Sequence, residues 1–197
     1  MNMIWTPTFT QESHSGTREV TVRSHLLSNR KIFLQGEINS DSANEFMQQL
    51  LYLQEQGSEP IHIFLNSGGG EVLAGMMIYD LLQSVKIPVN IYCTGMAASM
   101  AAIILAGGQK GRRFILPHSK TMIHEPLISQ GVGGSASSIK NISDSILQTR
   151  EMLNGILSNH TGQAVTAIEE ATAYDHYLNA EETVAFGICD KVITRIM

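Results

Sequence analysis

The sequence predicts an α/β fold of repeated βα units around a largely parallel sheet, with one long helix after the units. Two observations carry that expectation. Short apolar runs alternate with helix-periodic segments from Lys31 to Gln109, joined by short loops. Two glycine-rich turns also follow apolar runs and open helices, at the sheet edge where α/β proteins bind ligands. The 197 residues suffice for one domain with a substantial core and a small appendage.

The first 30 residues are polar and weakly patterned, so residues 1–30 are expected to form a mobile N-terminal arm, with a turn at Gly16-Thr17-Arg18-Glu19. Lys31 to Leu34 reads as a strand. Ser40 is placed to cap a helix running to about Gln56, with Ala43, Phe46, Met47, Leu50 and Leu51 at helical spacing and Gly57 as its stop. Ile61 to Leu65 reads as a strand broken by Asn66-Ser67-Gly68-Gly69-Gly70. Val72, Met76, Tyr79, Leu82 and Val85 mark the next helix. Pro88 opens the strand Val89 to Cys93, and a break at Thr94-Gly95 leads into a helix of small residues holding Ser99. Two extended pieces follow, Arg113 to Leu116 and Thr121 to Ile123. Ser129 to Gly134 is too glycine-rich for an internal strand. Ile139, Ile142, Ile146, Leu153 and Ile156 mark a long helix to about Asn159. Helices over Val165 to Thr172 and from Asn179 (paired with Glu182) to Gly187 come next, then a last strand, Ile188 to Ile193.

Composition narrows the function. Charged residues are 16%, against about a quarter in ordinary domains, which points either to surface buried in an oligomer or to a chain weakly soluble alone. A net charge of -5 leaves no nucleic-acid footprint. Two cysteines, Cys93 and Cys189, make no disulfide scaffold, and no Cys/His cluster suggests a metal; no cofactor is expected. The N-terminus lacks a basic region and a long apolar run, so a cytoplasmic location is expected. Ile87 to Gln109 is uncharged and near the length of a membrane span, but its polar residues and midway change of pattern fit a buried strand and helix better.

The glycine turns do not spell a phosphate loop: Gly68-Gly69-Gly70 lacks a following Gly-Lys-Ser/Thr, and no GxGxxG occurs. Ser99, at a helix start, is placed either to cap that helix or to attack a carbonyl whose oxyanion meets the free N–H groups there. His124 ends an extended run near the same edge. Glu125, Asp144, Glu169, Glu170, Asp175 and Asp190 are all open as its acidic partner, and spacing does not choose among them.

Several motifs in order add a resemblance. Gly95-Met-Ala-Ala-Ser99-Met-Ala-Ala, Gly111-Arg-Arg-Phe-Ile-Leu-Pro117 and Met122-Ile-His124-Glu-Pro126-Leu resemble the Clp protease proteolytic subunit family. So do Asn66-Ser67-x-Gly69-Gly70, His160-Thr-Gly162 and Asp175-x-x-Leu178-x-Ala180-x-Glu182. The likeness runs from about Leu26 to the C-terminus. It implies a ClpP/crotonase-like fold, a single peptidase domain over 31–197, and a protruding helical handle at about 127–159. It implies a serine endopeptidase with Ser99 as nucleophile, His124 as base and Asp175 as the orienting acid. Backbone N–H groups of Gly70 and Met100 would form the oxyanion hole. It further implies homo- or hetero-oligomers of stacked seven-membered rings, a separate AAA+ unfoldase that makes proteolysis ATP-dependent, and unfolded polypeptide substrates. Pro126 to Gly134 would pair with the peptide.

The chain departs from the family in its arm, Gly16-Thr-Arg-Glu-Val-Thr-Val22, and at three further places. Gly68 stands where proline is usual. Ala173-Tyr174 replace an Asp-Arg pair that bridges rings. His62, Phe64, Ser84, Tyr92 and Thr94 suggest a more polar unfoldase-docking pocket. These departures keep open a weakly active or structural ring subunit beside a paralogue. An acyl-CoA hydratase or isomerase of the crotonase group, and a Ser–Lys peptidase using Lys110 or Lys120, are the weaker readings.

Overall fold

The computed structural model describes residues 7–13, 16–128 and 131–196. Strands β1 (Thr8–Ser13) and β2 (Gly16–Thr21) pair antiparallel, and helix α1 (Val22–Ser28) follows, its first turn capped by Thr21. Gly16 to Glu19, expected as a turn, instead begins a strand. Residues 1–6, 14 and 15 of the expected arm lie outside the described residues.

Strand β3 (Lys31–Ile38) leads to helix α2 (Ser40–Glu55). The cap of α2 is Asn39 rather than Ser40: its side chain accepts from the Ser42 N–H while Ser42 Oγ accepts from the Asn39 N–H. Ala43, Phe46, Leu50 and Leu53 face the core, and Leu51 faces out. Strand β4 (Ile61–Gly70), helix α3 (Val72–Ser84), strand β5 (Val89–Ala98) and helix α4 (Met100–Ala106) complete the βα repeats. The uncharged stretch 87–109 is thus divided between a strand and a helix.

Both middle strands run past their expected breaks. β4 continues through Gly68-Gly69-Gly70 and β5 through Thr94-Gly95. Ladder partners carry them on: Ile38 faces Gly70, Ser67 faces Ala97, and shifts of register between Gln35 and Glu37 and between Leu65 and Ser67 absorb the irregular turns.

Strands β6 (Arg113–Ile115) and β7 (Lys120–Ile123) both pair parallel with β5, β6 along Ile91–Cys93 and β7 along Met96–Ala98. Helix α5 (Ala136–Thr161), the expected handle, ends at Gly162 in the left-handed conformation. Helix α6 (Val165–Thr172) precedes strand β8 (His176–Leu178), which no sequence signal announced. Helix α7 (Ala180–Phe186) has the expected Asn179/Glu182 capping box and Gly187 end. The last strand, β9, covers only Lys191–Val192. The main sheet runs β3-β4-β5-β6-β9, with β7 beside the far half of β5 and β8 antiparallel to β7.

The core lies between this sheet and its helices. Ile61, Ile63 and Leu65 alternate inward from β4, and every residue of α4 is buried. Apolar strand faces and an all-apolar helix have no solvated side, so burial and lack of charge go together. Arg113 is the exception, fully buried yet bonded through Nε and Nη2 to Asp190 and through Nη1 to the Ala106 carbonyl. Burial alone would raise the Asp190 pKa; the hydrogen bonds and charge of Arg113, with the Gly111 amide, outweigh it and hold the carboxyl below its usual value.

Candidate active site

The strand register assembles the site. Ala98 on β5 pairs with Met122 on β7, and the Ser99 N–H donates to the Met122 carbonyl at 2.8 Å, so Ser99 stands beside the C-terminal end of β7. Ile123 pairs with His176 across the antiparallel β7–β8 ladder. One step beyond Ile123 and one before His176 are His124 and Asp175, which the ladder therefore sets opposite each other. The Glu125 N–H donates to the Thr172 carbonyl at 2.8 Å and fastens the chain after His124 to the end of α6.

The side chains join in one line. Ser99 Oγ lies 2.8 Å from His124 Nε2, and His124 Nδ1 lies 3.1 Å from Asp175 Oδ1. The acidic partner makes Nδ1 the protonated nitrogen, leaving Nε2 to accept from the serine hydroxyl. Of the other acidic candidates, Asp190 is bound to Arg113, Glu125 pairs with Arg150 and Asp144 pairs with Lys140. The imidazole is largely covered, while Asp175 is 57% exposed.

Ser99 occupies the cap position of α4 but caps nothing. Its backbone sits at φ 54°, ψ −123°, a conformation L-residues rarely adopt, at a sharp strand-to-helix turn. That turn points Oγ toward His124 and leaves the Met100 N–H among the first donors of a helix, which have no intrahelical acceptor.

Opposite stands the glycine end of β4. A Cβ on Gly69 would lie 2.7 Å from the Ala98 carbonyl and 2.7 Å from Ser99 Cβ, so only glycine fits against the serine turn. Ser67 Oγ donates to the Gly36 carbonyl at 2.5 Å and accepts from the Gly69 N–H at 3.0 Å, which pins the turn. Asn66 Oδ1 accepts from the Met96 N–H at 3.1 Å, tying β4 to β5 beyond their shifted register.

A cleft of about 390 Å³ gathers these groups: Ser99, His124, Gly70 and Met100 line it, with Leu153, Asn154 and Leu157 of α5 opposite. A larger hollow of about 480 Å³ lies between α1, β3 and α2 and holds none of them, so volume does not mark the site here; chemistry does. Neither Lys110 nor Lys120 lines the cleft. Among the described residues no cluster of three or more His, Cys, Asp or Glu is arranged to hold a metal, and no helix is long and apolar enough to cross a membrane. Burial pushes the thiols of Cys93 and Cys189 up to about 11 and about 12, which keeps both protonated near neutral pH. Residues 131–133 have no regular structure, and Ser129 and Gln130 of the segment expected to hold peptide lie outside the described residues.

A model of the Clp protease family matches residues 14–196. The chain belongs to the Clp protease family. It is therefore a Clp-type peptidase, with the α/β fold that the family resemblance implied. Sequence reasoning left two features of this Clp-type chain unseen. One is Asn154, a buried polar residue on α5 at the wall of the cleft. The other is an aromatic ladder, Phe33, Phe64, Tyr92 and Phe114 stacked across four neighbouring strands at 5.0 to 5.4 Å, with His62 at 6.0 Å from Tyr92. Phe64 and Tyr92 of the docking pocket that the sequence suggested belong to this ladder, with His62 beside them. Burial, then repulsion from Lys31 and Arg30, lowers the His62 pKa.

Proposed function

We propose that this chain is a serine endopeptidase subunit of a self-compartmentalised protease, with Ser99, His124 and Asp175 as its reacting set. The observation that carries the reading is the unbroken Asp175–His124–Ser99 line of hydrogen bonds ending on a serine held in a strained turn. Ser99 Oγ attacks the peptide carbonyl while His124 Nε2 takes its proton. Asp175 holds the Nδ1–H and offsets the charge of the imidazolium. The carbonyl oxygen, now an anion, meets the N–H groups of Gly70 and Met100, each worth about 3 kcal/mol in such chemistry. His124 then returns the proton to the leaving amine, and water repeats the sequence on the acyl-enzyme.

The low charge content and the exposed Ile139, Ile142, Leu147 and Met152 of α5 support assembly into stacked seven-membered rings, homo- or heteromeric. The aromatic ladder supports docking of a separate AAA+ unfoldase that feeds unfolded polypeptide to the cleft in the cytoplasm. Residues 1–30 act as the arm at the ring axis, and 31–197 as one peptidase domain.

Ser99→Ala tests the reading. Alanine fills the same space, so folding and assembly persist while peptide cleavage falls by about 10⁴ to 10⁶. Cleavage within tenfold of the wild type refutes it. A second reading, a weakly active ring subunit beside a paralogue, draws on Tyr174, which is 86% exposed next to Asp175 where the family places a ring-bridging charge pair. Phosphonate labelling of Ser99 in the pure chain and in mixed rings separates the two readings. Acyl-CoA turnover would instead favour a crotonase-type activity.

A further inference from the structure

We infer that the space between α5, α6 and the chain after His124 is a ligand site for a primary amide, apart from the cleft at Ser99. The inference goes beyond the peptidase reading and does not depend on it. Among the described residues only two buried side-chain polar atoms lack a hydrogen-bond partner, Arg150 Nε and Asn154 Nδ2. Both are donors, and their residues stand four apart on one face of α5. Asn154 is 3% exposed, and its Oδ1 already accepts from Thr172 Oγ1 at 3.4 Å. A buried donor costs free energy until an acceptor satisfies it, so two in one place call for an acceptor that arrives from outside.

Both residues line one space of about 180 Å³, walled also by Glu125, Glu169 and Ala173. A water takes up about 30 Å³, so the space holds more than one bridging water. Its charges choose the ligand. One guanidinium stands among two carboxylates, and Arg150 Nη1 already pairs with Glu125 at 3.4 Å. An anion would add to the excess of negative charge. A cation would leave both unpaired donors unanswered. A neutral group with a carbonyl oxygen and an N–H₂ answers every demand. The oxygen, with two lone pairs, accepts from Arg150 Nε and Asn154 Nδ2, and the N–H₂ donates to the Glu169 carboxylate. That is a primary amide, as a free molecule or as the glutamine or asparagine side chain of a polypeptide. Seated there it ties α5 to α6 and to Glu125, the residue after His124.

The test follows thermal unfolding and saturation-transfer NMR of the full assembled protein with acetamide, acetate, methylammonium and acetone. Acetamide is expected to bind in the millimolar range, as suits so small a ligand, and to raise the thermal midpoint. Acetate, methylammonium and acetone, each short of one requirement, should bind about tenfold more weakly, the size of one hydrogen bond. Two variants place the binding. Ala173→Leu fills the space from an exposed position, and Arg150→Lys keeps the charge but removes Nε. Each should weaken acetamide by about tenfold. The tripeptides Gly-Gln-Gly and Gly-norleucine-Gly separate the two sources. Preference for the glutamine peptide, lost in Ala173→Leu, assigns a side-chain amide; binding of acetamide alone assigns a free molecule. No acetamide binding, which would mean that water alone occupies the space, would overturn the inference. So would equal binding of all four small probes, or acetamide binding unchanged in both variants. None of these readouts involves cleavage, so failure of the peptidase reading would leave the result standing.

Discussion

Replacing Gly70 by alanine should cost about 10² to 10³ in kcat while KM moves little. A Cβ at this position would sit 2.0 Å from the Ile38 carbonyl oxygen and 2.8 Å from its carbon. Real Cβ atoms essentially never come within 3.0 Å of such a neighbour, so the chain must open by at least 1.0 Å there. Neither side yields easily. Ile38 is fully buried, and its carbonyl also accepts from the Glu71 N–H at 2.8 Å. Gly70 has φ +152°, a conformation that strains an L side chain as well. Functional groups must stay within about 0.5 Å of their productive place, so the Gly70 N–H would leave the oxyanion position proposed for it. The expected loss is that of one oxyanion donor. Gly68→Ala is the control: no atom lies within 4 Å of its Cβ position, so cleavage should stay within about twofold and stability should rise by about 0.4–1 kcal/mol. Peptide hydrolysis, thermal unfolding and size-exclusion chromatography of each variant give the answer. Gly70→Ala within tenfold of the wild type would refute the donor role, as would an equal loss in Gly68→Ala.

Asp175→Asn should lower kcat by up to about 10⁴ by favouring the wrong imidazole tautomer, whereas Asp190→Asn should lower the thermal midpoint and leave kcat nearly unchanged, because Asp190 serves Arg113. The reverse pattern in peptide assays would show the wrong acid was chosen. Burial, then Arg113, lowers the His160 pKa, and its Nε2 lies 2.8 Å from the Tyr79 hydroxyl. Its contribution to stability is complete above the ordinary value of 6.5 and is lost as pH falls from there toward the lowered folded value. Calorimetry from pH 8 to 5 should show that decline, and His160→Gln should flatten it; an unchanged slope would count against it. Asp190 behaves likewise at lower pH: its contribution is present above 3.8 and is lost as pH falls through its depressed folded value. Ala173→Asp with Tyr174→Arg should shift sedimentation of the pure chain toward double rings. No shift would show that a charged bridge there is not limiting.

From β3 to α7 the order of elements was legible, β8 excepted, because each buried face repeats at its own period; β1, β2 and α1, in the weakly patterned first 30 residues, were not. Ile61, Ile63 and Leu65 alternate, and Ala43, Phe46 and Leu50 recur at helical spacing. The ends of β4 and β5 were not legible. Gly68 to Gly70 and Thr94-Gly95 weaken a strand locally, and only the ladders with β3 and β7 carry it through. The same limit applies to Asp175. Spacing left six acids open, and the choice depends on the pairing of Ile123 with His176, on a strand of three residues. The aromatic ladder was hidden because Phe33, Phe64, Tyr92 and Phe114 are scattered along the chain and meet only through register.

The strained turn at Ser99 sets stability and activity against each other at a single residue. Backbone in that region costs about 1–3 kcal/mol for a side-chain-bearing residue, and glycine relieves it. A library of this chain screened for thermal resistance alone should therefore collect glycine at 99 and lose the proposed nucleophile. Screened for cleavage as well, it should keep serine and gather its stabilising changes elsewhere. A lineage in which a paralogue supplied the cleavage would drift the same way, so residue 99 of such a ring subunit records whether its own chemistry was still under selection.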